Sequence, residues 1–241
     1  MNNKNNFYEL WIYLQSEPLC WLTLTIGAYL IGDYIYKNFN LFPLFNPVAI
    51  TIIIISSILI CFDIKYERYF SGAQFIHFLL GPVTVSLAIP IYKKWPLIKS
   101  YFFPIIFSLL LGCSFAIIST YLITNIFITD KELILSLLPK NVTAPIAMGI
   151  SKIIGGIPSI TAIITIITGI IGASFGTFIL DILKIKNLPA RGFGIGLASH
   201  GIGTARAMSK NKDAGVFSAL AMGLSGIATS LLVPIFVKIF L

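Results

Sequence analysis

A chain of 241 residues in which 57% are apolar or aromatic and only 11% are charged, with a mean hydropathy of +0.92, falls outside the range of water-soluble domains, which carry roughly 25% charged residues. This excludes a soluble single-domain enzyme and makes lipid the expected solvent. The net charge of +8 is spread along the chain in ones to threes, which argues against nucleic acid as a partner and fits loop charges that orient a membrane protein.

The first 18 residues are polar and aromatic and lack the basic start and small-residue cleavage site of a signal peptide, so they are expected to be retained. Phe7, Leu10, Trp11 and Leu14 recur at helical spacing, which predicts an interfacial helix over 1–18 with its aromatic face in lipid. The rest, 19–241, reads as one transmembrane domain. Apolar stretches long enough to cross the ~30 Å hydrocarbon layer run over Leu19 to Tyr36, Leu44 to Phe62, Tyr101 to Thr124, Pro158 to Leu180 and Ala214 to Phe240. Three more are interrupted: Phe75 to Tyr92 by Gly81-Pro82 and Pro90, Leu133 to Ile154 by Pro139-Lys140-Asn141 and Pro145, and Ala190 to Met208 by repeated glycines. The predicted fold is therefore all-α and polytopic, with about five full transmembrane helices plus two or three broken or re-entrant segments. Cys20, Cys61 and Cys113 lie within apolar runs without metal-ligand spacing and read as small core residues.

Val83-Thr84 is echoed by Val142-Thr143, and Gly112-Cys-Ser-Phe115 by Gly172-Ala-Ser-Phe175, which suggests repeat units over about 73–124 and 131–180. Lys93, Lys94 and Lys99 mark one loop and Lys184, Lys186 and Arg191 another; the positive-inside rule puts both in the cytoplasm. Only an even number of crossings separates them, so Leu133 to Ile154 must enter and return on one side. By the repeat, Phe75 to Tyr92 is expected to be re-entrant from the cytoplasmic side, which makes the two units inverted.

Asp33 alone among the acids falls within an apolar run, near its end. The interior thus lacks a carboxylate for coordinating sodium, carrying protons or general acid and base work. Lys140, Asn141 and Thr143, and Ser199, His200, Gly201, Thr204 and Arg206, put basic and polar groups inside interrupted segments. That combination suits an anion. Pro82, Pro139 and Pro145 are candidates to open half-helices whose free N–H groups face negative charge. On an unbroken helix Ser199, Gly203 and Arg206 share one face, and His200 and Thr204 the adjoining one. Bland readings stand beside these: Gly172-x-x-x-Gly176 as a packing face, His77 as a packed or interfacial side chain, and Lys140 and Arg206 as residues that snorkel to the interface. Two histidines without a Cys or acid cluster leave a metal without ligands, no cofactor site is found, and no Ser, His and acid triad exists. The Gly-x-Gly spacings of 191–206 follow no strand and are not a dinucleotide site.

Ala-Ser-His-Gly-Ile-Gly-Thr-Ala-Arg (198–206), Leu-Pro-Lys-Asn-Val-Thr-Ala-Pro-Ile-Ala (138–147), Ile-Gly-Gly-Ile-Pro (154–158) and Tyr-Phe-Ser-Gly (69–72) closely resemble the LrgB family, which includes CidB and the YohK proteins. The resemblance runs from about Asn46-Pro47 to Pro234 and departs from the usual pattern at Asn141 and Ala144. It implies a multi-pass protein of the bacterial inner membrane that works with a small LrgA/CidA-type membrane partner. It also implies one of two roles: a holin-like or antiholin-like modulator of murein hydrolase activity and lysis, or a carrier of small carboxylates, as in the LrgB-like half of the plastid glycolate/glycerate translocator. Together with the acid-free interior it leads to the expectation of a monocarboxylate transporter of the pyruvate, glycolate or glycerate class, not an enzyme. Lys140 and Arg206 are then the anion partners, and His200 the candidate for proton coupling. Glycine-rich faces leave room for a homodimer.

Overall fold

The computed structural model describes residues 17–39 and 45–241, so the predicted interfacial helix at Phe7 to Leu14 lies outside the described residues. The chain forms two compact units, Met1–Ser86 and Leu87–Leu241, and every described element but short connections is helical.

In the first unit α1 (Pro18–Asn38), α2 (Pro47–Cys61) and α3 (Tyr66–Ser86) pack together. Pro18 and Pro47 stand in the first turns of α1 and α2, where a missing N–H costs nothing, and Asn46 caps α2 by accepting from the Val48 and Ala49 amides. Trp21 is fully buried and meets Tyr69 edge-on at 6.1 Å. Two expectations are corrected. Leu44 to Phe62 is not a full span, because α2 holds 15 residues, ~22 Å at 1.5 Å per residue and short of the ~30 Å hydrocarbon layer. Phe75 to Tyr92 is not re-entrant, because α3 passes straight through Pro82. That proline removes its own N–H and one backbone bond; opening the helix further would strand more polar groups in lipid, so the helix continues and Pro82 opens no half-helix.

The second unit begins with the short helices α4 (Ala88–Lys93) and α5 (Trp95–Ser100), followed by α6 (Phe102–Phe127), α7 (Lys131–Leu137), α8 (Ala144–Ile154), α9 (Pro158–Ile182), α10 (Leu188–Lys210) and α11 (Lys212–Phe240). Among the described residues, five helical stretches are long and apolar enough to cross a membrane: Pro18–Asn38, Tyr66–Lys93, Phe102–Phe127, Pro158–Ile182 and Lys212–Phe240. The protein is an all-α polytopic membrane protein. Large apolar side chains such as Phe103, Phe107, Phe115 and Phe127 stand exposed along α6, where lipid replaces water as their surroundings. Of the three cysteines Cys113 is buried, Cys20 is half-buried and Cys61 is exposed, so the reading of all three as core residues is corrected.

Two further segments of this unit turn back on themselves. In 131–154, Asp130 caps α7 by accepting from the Glu132 and Leu133 amides. The chain then turns through 138–143, and Pro145 sits in the first turn of α8. Gly155, at φ 86°, closes α8 in the left-handed conformation that glycine adopts without steric cost. Neither α7 nor α8 is long enough to cross, and the Ile157 amide at the start of α9 donates to Ser136 Oγ in α7 at 2.7 Å. The segment therefore returns to the end it entered, as the sequence predicts. Pro139 stands in the turn after α7 and opens no helix, whereas Pro145 does.

The second reversal is α10. Its backbone is helical on both sides of His200, which sits at φ 40°, ψ −130°. Both arms lie against the same stretch of α11: Gly192 faces Ala214 and Gly196 faces Ser218, while on the return Thr204 Oγ1 meets Ser218 Oγ at 3.0 Å and Met208 packs on Gly215. Gly203 in turn packs against Ser199 and Ile195. The arms 188–199 and 201–210, ~18 Å and ~15 Å long, form a helical hairpin with its tip at His200. The single-helix face pairing Ser199 with Gly203 and Arg206 is thereby corrected, since the left-handed residue falls between them.

The two hairpins enter from opposite ends. Lys94 Nζ pairs with Asp213 Oδ1 at 2.8 Å, and Lys186, Arg191, Lys210 and Asn211 gather around one cavity at this same end. Lys131 Nζ, at the start of the other hairpin, donates to the Leu241 carbonyl at 2.7 Å, the far end of α11. Each hairpin leads into a full span, 131–154 into α9 and 188–210 into α11, and the two spans run in opposite directions. The segment expected to begin a unit over 73–124 is a through-going helix, so the opposed pairing visible within the second unit is 131–182 with 188–240.

Candidate functional site

The two hairpins are seated on the same two spans. Along α9, Thr161 Oγ1 donates to the Ser136 carbonyl at 2.8 Å and bonds Ser151 Oγ at 2.7 Å, both in the first hairpin. One turn further on, the Thr165 carbonyl lies 2.9 Å from His200 Nε2 at the tip of the second hairpin. Gly169 and Gly172 continue that face, and a Cβ on them would fall 2.5 Å from the imidazole and 2.0 Å from Ser199 Oγ. Only glycine lets the tip come this close. Along α11 the order is reversed: Ser218 and Met222 touch the second hairpin, and Gly226 touches Ile146 of the first. The apolar core repeats the division. Ile105, Leu109 and Cys113 of α6 pack with Phe193 and Phe217 at one level, and Ile117 packs with Leu135, Leu138, Ala147 and Val233 at the other.

The seats of the two hairpins thus adjoin between Thr161 and Thr165 of α9 and between Met222 and Gly226 of α11. Thr165 lies ~10 Å from the start of α9 and Met222 ~15 Å from the start of α11, so the junction falls well inside the bundle. It is polar and acid-free. Thr161, Thr165, Ser199, His200, Thr204 and Ser218 are all buried, and among the described residues no Asp or Glu is. Thr204 Oγ1 donates to the His200 carbonyl at 2.7 Å, which ties the second arm to the tip. Thr165 Oγ1, Ser199 Oγ and Asn141 Oδ1 are buried without a hydrogen-bond partner; such groups carry a desolvation cost of ~1–3 kcal/mol each and offer donors or acceptors to a ligand.

The residues singled out from sequence are distributed as follows. Ser199, His200, Gly201 and Thr204 form the tip of the second hairpin. Lys140, Asn141 and Thr143 lie in the turn of the first, where Lys140 Nζ bonds Thr120 Oγ1 of α6 and Thr143 precedes α8 without a side-chain cap bond. Lys140 is directed at a neighbouring span and does not snorkel away. Arg206 belongs to neither tip: it lines the cavity at the basic end with Lys186, Arg191 and Lys210. His77, exposed and edge-on to Phe70 at 6.0 Å, lies in the first unit. Gly172 serves close packing, against Ser199. Sequence reading missed Thr161, Thr165 and Gly169, whose four-residue spacing marks one face of α9, and it missed Lys210. Among the described residues no group of His, Cys, Asp and Glu is arranged to hold a metal ion.

The LrgB-like family matches residues 25–239, which include both hairpins, both seating spans and α6. The chain belongs to the LrgB-like family. This LrgB-family chain is 36% identical over 219 residues to the YxaC protein of Bacillus subtilis (strain 168), covering 91% of the chain and 95% of the relative. It is 33% identical over 228 residues to the holin-like protein CidB of Staphylococcus epidermidis (strain ATCC 12228 / FDA PCI 1200), covering 95% and 98%. It is 29% identical over 223 residues to the antiholin-like protein LrgB of Bacillus subtilis (strain 168), covering 92% and 96%. No solved structure matches it. With its long apolar helices and these relatives, it is a multi-pass bacterial membrane protein.

Proposed function

We propose that this chain is the LrgB-type component of a holin-like or antiholin-like system of the cytoplasmic membrane, acting with a small LrgA/CidA-type partner to modulate murein hydrolase activity and cell lysis. The observation that carries the reading is the near full-length match to relatives named holin-like CidB and antiholin-like LrgB. It is a family analogy, and the role it assigns is not enzymatic. The test is expression of the chain with its partner in cells lacking their own LrgB-type proteins. Murein hydrolase zymograms and the rate of detergent-induced autolysis are expected to change, and both remaining at the level of the empty host contradicts the reading.

A second reading, passage of a small monocarboxylate of the pyruvate, glycolate or glycerate class, is favoured by one specific observation. Two hairpins from opposite ends are seated on adjoining stretches of α9 and α11, where Ser199 Oγ and Thr165 Oγ1 are buried without partners, an arrangement by which broken helices line solute sites. On this reading Ser199, His200, Gly201 and Thr204 face the solute from one side and Lys140, Asn141 and Thr143 from the other. Arg206 attracts the anion at the basic end. Uptake of labelled pyruvate or glycolate that needs this chain and is lost in Arg206→Ala at equal abundance supports it; no uptake of either with the partner present counts against it.

A further inference from the structure

The two halves of α3 differ in what surrounds them. The first half is seated on α1: a Cβ on Gly72 would fall 2.0 Å from the Pro18 carbonyl oxygen, Ala73 is buried, and Tyr69 meets Trp21 edge-on and accepts from Thr25 Oγ1. From Gln74 to Ser86 every residue whose burial is described is exposed. The stretch Tyr66–Lys93 is long and apolar enough to cross a membrane, and Arg68 and Lys93 bracket its apolar part. Gln74, His77 and Thr84 lie within ~10 Å of the midpoint between those two charges at 1.5 Å per residue, inside the ~30 Å hydrocarbon layer. Phe75, Phe78 and Leu79 suit lipid. Gln74 and His77 do not, because hydrocarbon offers them no hydrogen bond.

These polar groups are not scattered. Phe70, Gln74, His77, Gly81 and Thr84 follow one another at steps of four, three, four and three residues, the 3.5-residue period that keeps a seam facing a partner helix. They fall within an arc of ~80° on the helix. Off this arc, Ser86 turns its hydroxyl onto the Val83 carbonyl at 2.7 Å. Gln74 Nε2 donates to the Ser71 carbonyl at 2.7 Å, which leaves a second N–H and the amide oxygen for a neighbour. The His77 ring, edge-on to Phe70 at 6.0 Å, has a donor on one nitrogen and an acceptor on the other when neutral. Gly81 has nothing within 4 Å of its would-be Cβ, so another helix backbone can come close there.

We propose that this stripe is a self-association surface, along which α3 pairs in parallel with α3 of a second copy of the chain through Gln74 and His77, with Gly81 at the close approach. Electrostatic complementarity selects this occupant. Copies of one chain share one orientation in the membrane, so a two-fold pair of α3 helices sets each residue against itself at the same depth. A lysine or a carboxylate on such a seam would repel its mate, and no charged residue falls on it between Phe70 and Thr84. Gln74 and His77 each both donate and accept, so each can bond its own copy, and hydrogen bonds of this kind hold membrane helices together. The surface does not depend on either functional reading, because pairing is measured without lysis or uptake.

The experiment uses the purified full chain in lipid bilayers over a range of protein-to-lipid ratios. In a background with Cys20, Cys61 and Cys113 replaced by alanine, Gly81→Cys and Thr84→Cys put a thiol on the stripe, and Leu79→Cys puts one on the opposite face. Oxidation with copper phenanthroline is expected to link both stripe variants into dimers that persist on dilution into lipid, and to leave Leu79→Cys monomeric. Energy transfer between donor- and acceptor-labelled copies of the wild-type sequence reads the same pairing without removing a cysteine. Gln74→Leu/His77→Leu, which suits lipid better than the wild type and leaves the Gly72 seat untouched, is expected to weaken that pairing by about tenfold. Leu79→Ala is expected to leave it unchanged. Energy transfer no greater than random collision at every density, equal cross-linking through Leu79→Cys, or undiminished pairing in the double variant overturns the proposal.

Discussion

Gly196→Ala tests the hairpin where its packing is tightest. A Cβ at Gly196 would lie 2.1 Å from the Ser218 carbonyl oxygen, 2.7 Å from its carbon and 2.8 Å from its Cα. All three are backbone atoms of α11, so no side chain can turn aside. Restoring ordinary contact at ~3.5–4.0 Å requires the arm 188–199 to move off α11 by over an ångström, which also pulls Gly192 from Ala214. Overpacking of this kind costs typically ~1–3 kcal/mol, and a rigid backbone neighbour places this site at the upper end. Gly194 lies on the same arm with nothing within 4 Å of its would-be Cβ, so Gly194→Ala gains helix propensity and is expected to be neutral or stabilising by up to ~1 kcal/mol. Thermal unfolding of both variants in detergent is the assay. A change of ~1 kcal/mol moves Tm by ~2–4 °C in a chain this size, so the two are expected to diverge by several degrees with opposite signs. Equal shifts for the pair would refute the close seating of this arm on α11.

His200, at φ 40°, holds a conformation that costs a non-glycine residue ~1–3 kcal/mol; His200→Ala is expected to be less stable than His200→Gly by ~1 kcal/mol, and the reverse order would argue against a strained tip. Thr161→Val leaves the Ser136 and Ser151 groups it bridges without that hydroxyl and is expected to cost ~1–3 kcal/mol, read by the same melts; an unchanged Tm would contradict the bridge. Single cysteines at Lys94, Lys186 and Lys210 are expected to react with an impermeant thiol reagent from one face of the membrane and a cysteine at Lys131 from the other. Labelling of Lys94 and Lys186 from opposite faces would contradict the two-hairpin topology.

Much of this architecture is written in the sequence at the level where lipid dictates it. Uninterrupted apolar runs become α1, α6, α9 and α11 because only a continuous helix pairs its own backbone in hydrocarbon. The return of 131–154 follows from loop charge alone, through Lys93, Lys94, Lys184 and Lys186. Less legible is anything set by tertiary contact. Pro82 looks like a break, yet its cost is one bond and the helix runs on, whereas the true reversal at His200 carries no turn residue at the bend itself. Its cause is remote: Gly169 and Gly172 on α9 make room for the tip, and Gly192 and Gly196 let one arm lie against α11. Ser199, His200 and Thr204 could be singled out as a polar set within an apolar chain. Their separation from Arg206 could not, because a hairpin and a straight helix share the same glycine-rich composition.

The functional account is tested most directly by measuring autolysis rate, murein hydrolase activity and labelled pyruvate and glycolate uptake in the same cells. The host lacks its own LrgB-type proteins and carries this chain with and without its partner. The account predicts that autolysis and hydrolase activity change when the chain is present and that Gly196→Ala, at equal membrane abundance, reduces the change by unseating the hairpin. Autolysis and hydrolase activity identical to the empty host would contradict it, and carboxylate uptake lost in Ser199→Ala would then assign the junction to transport.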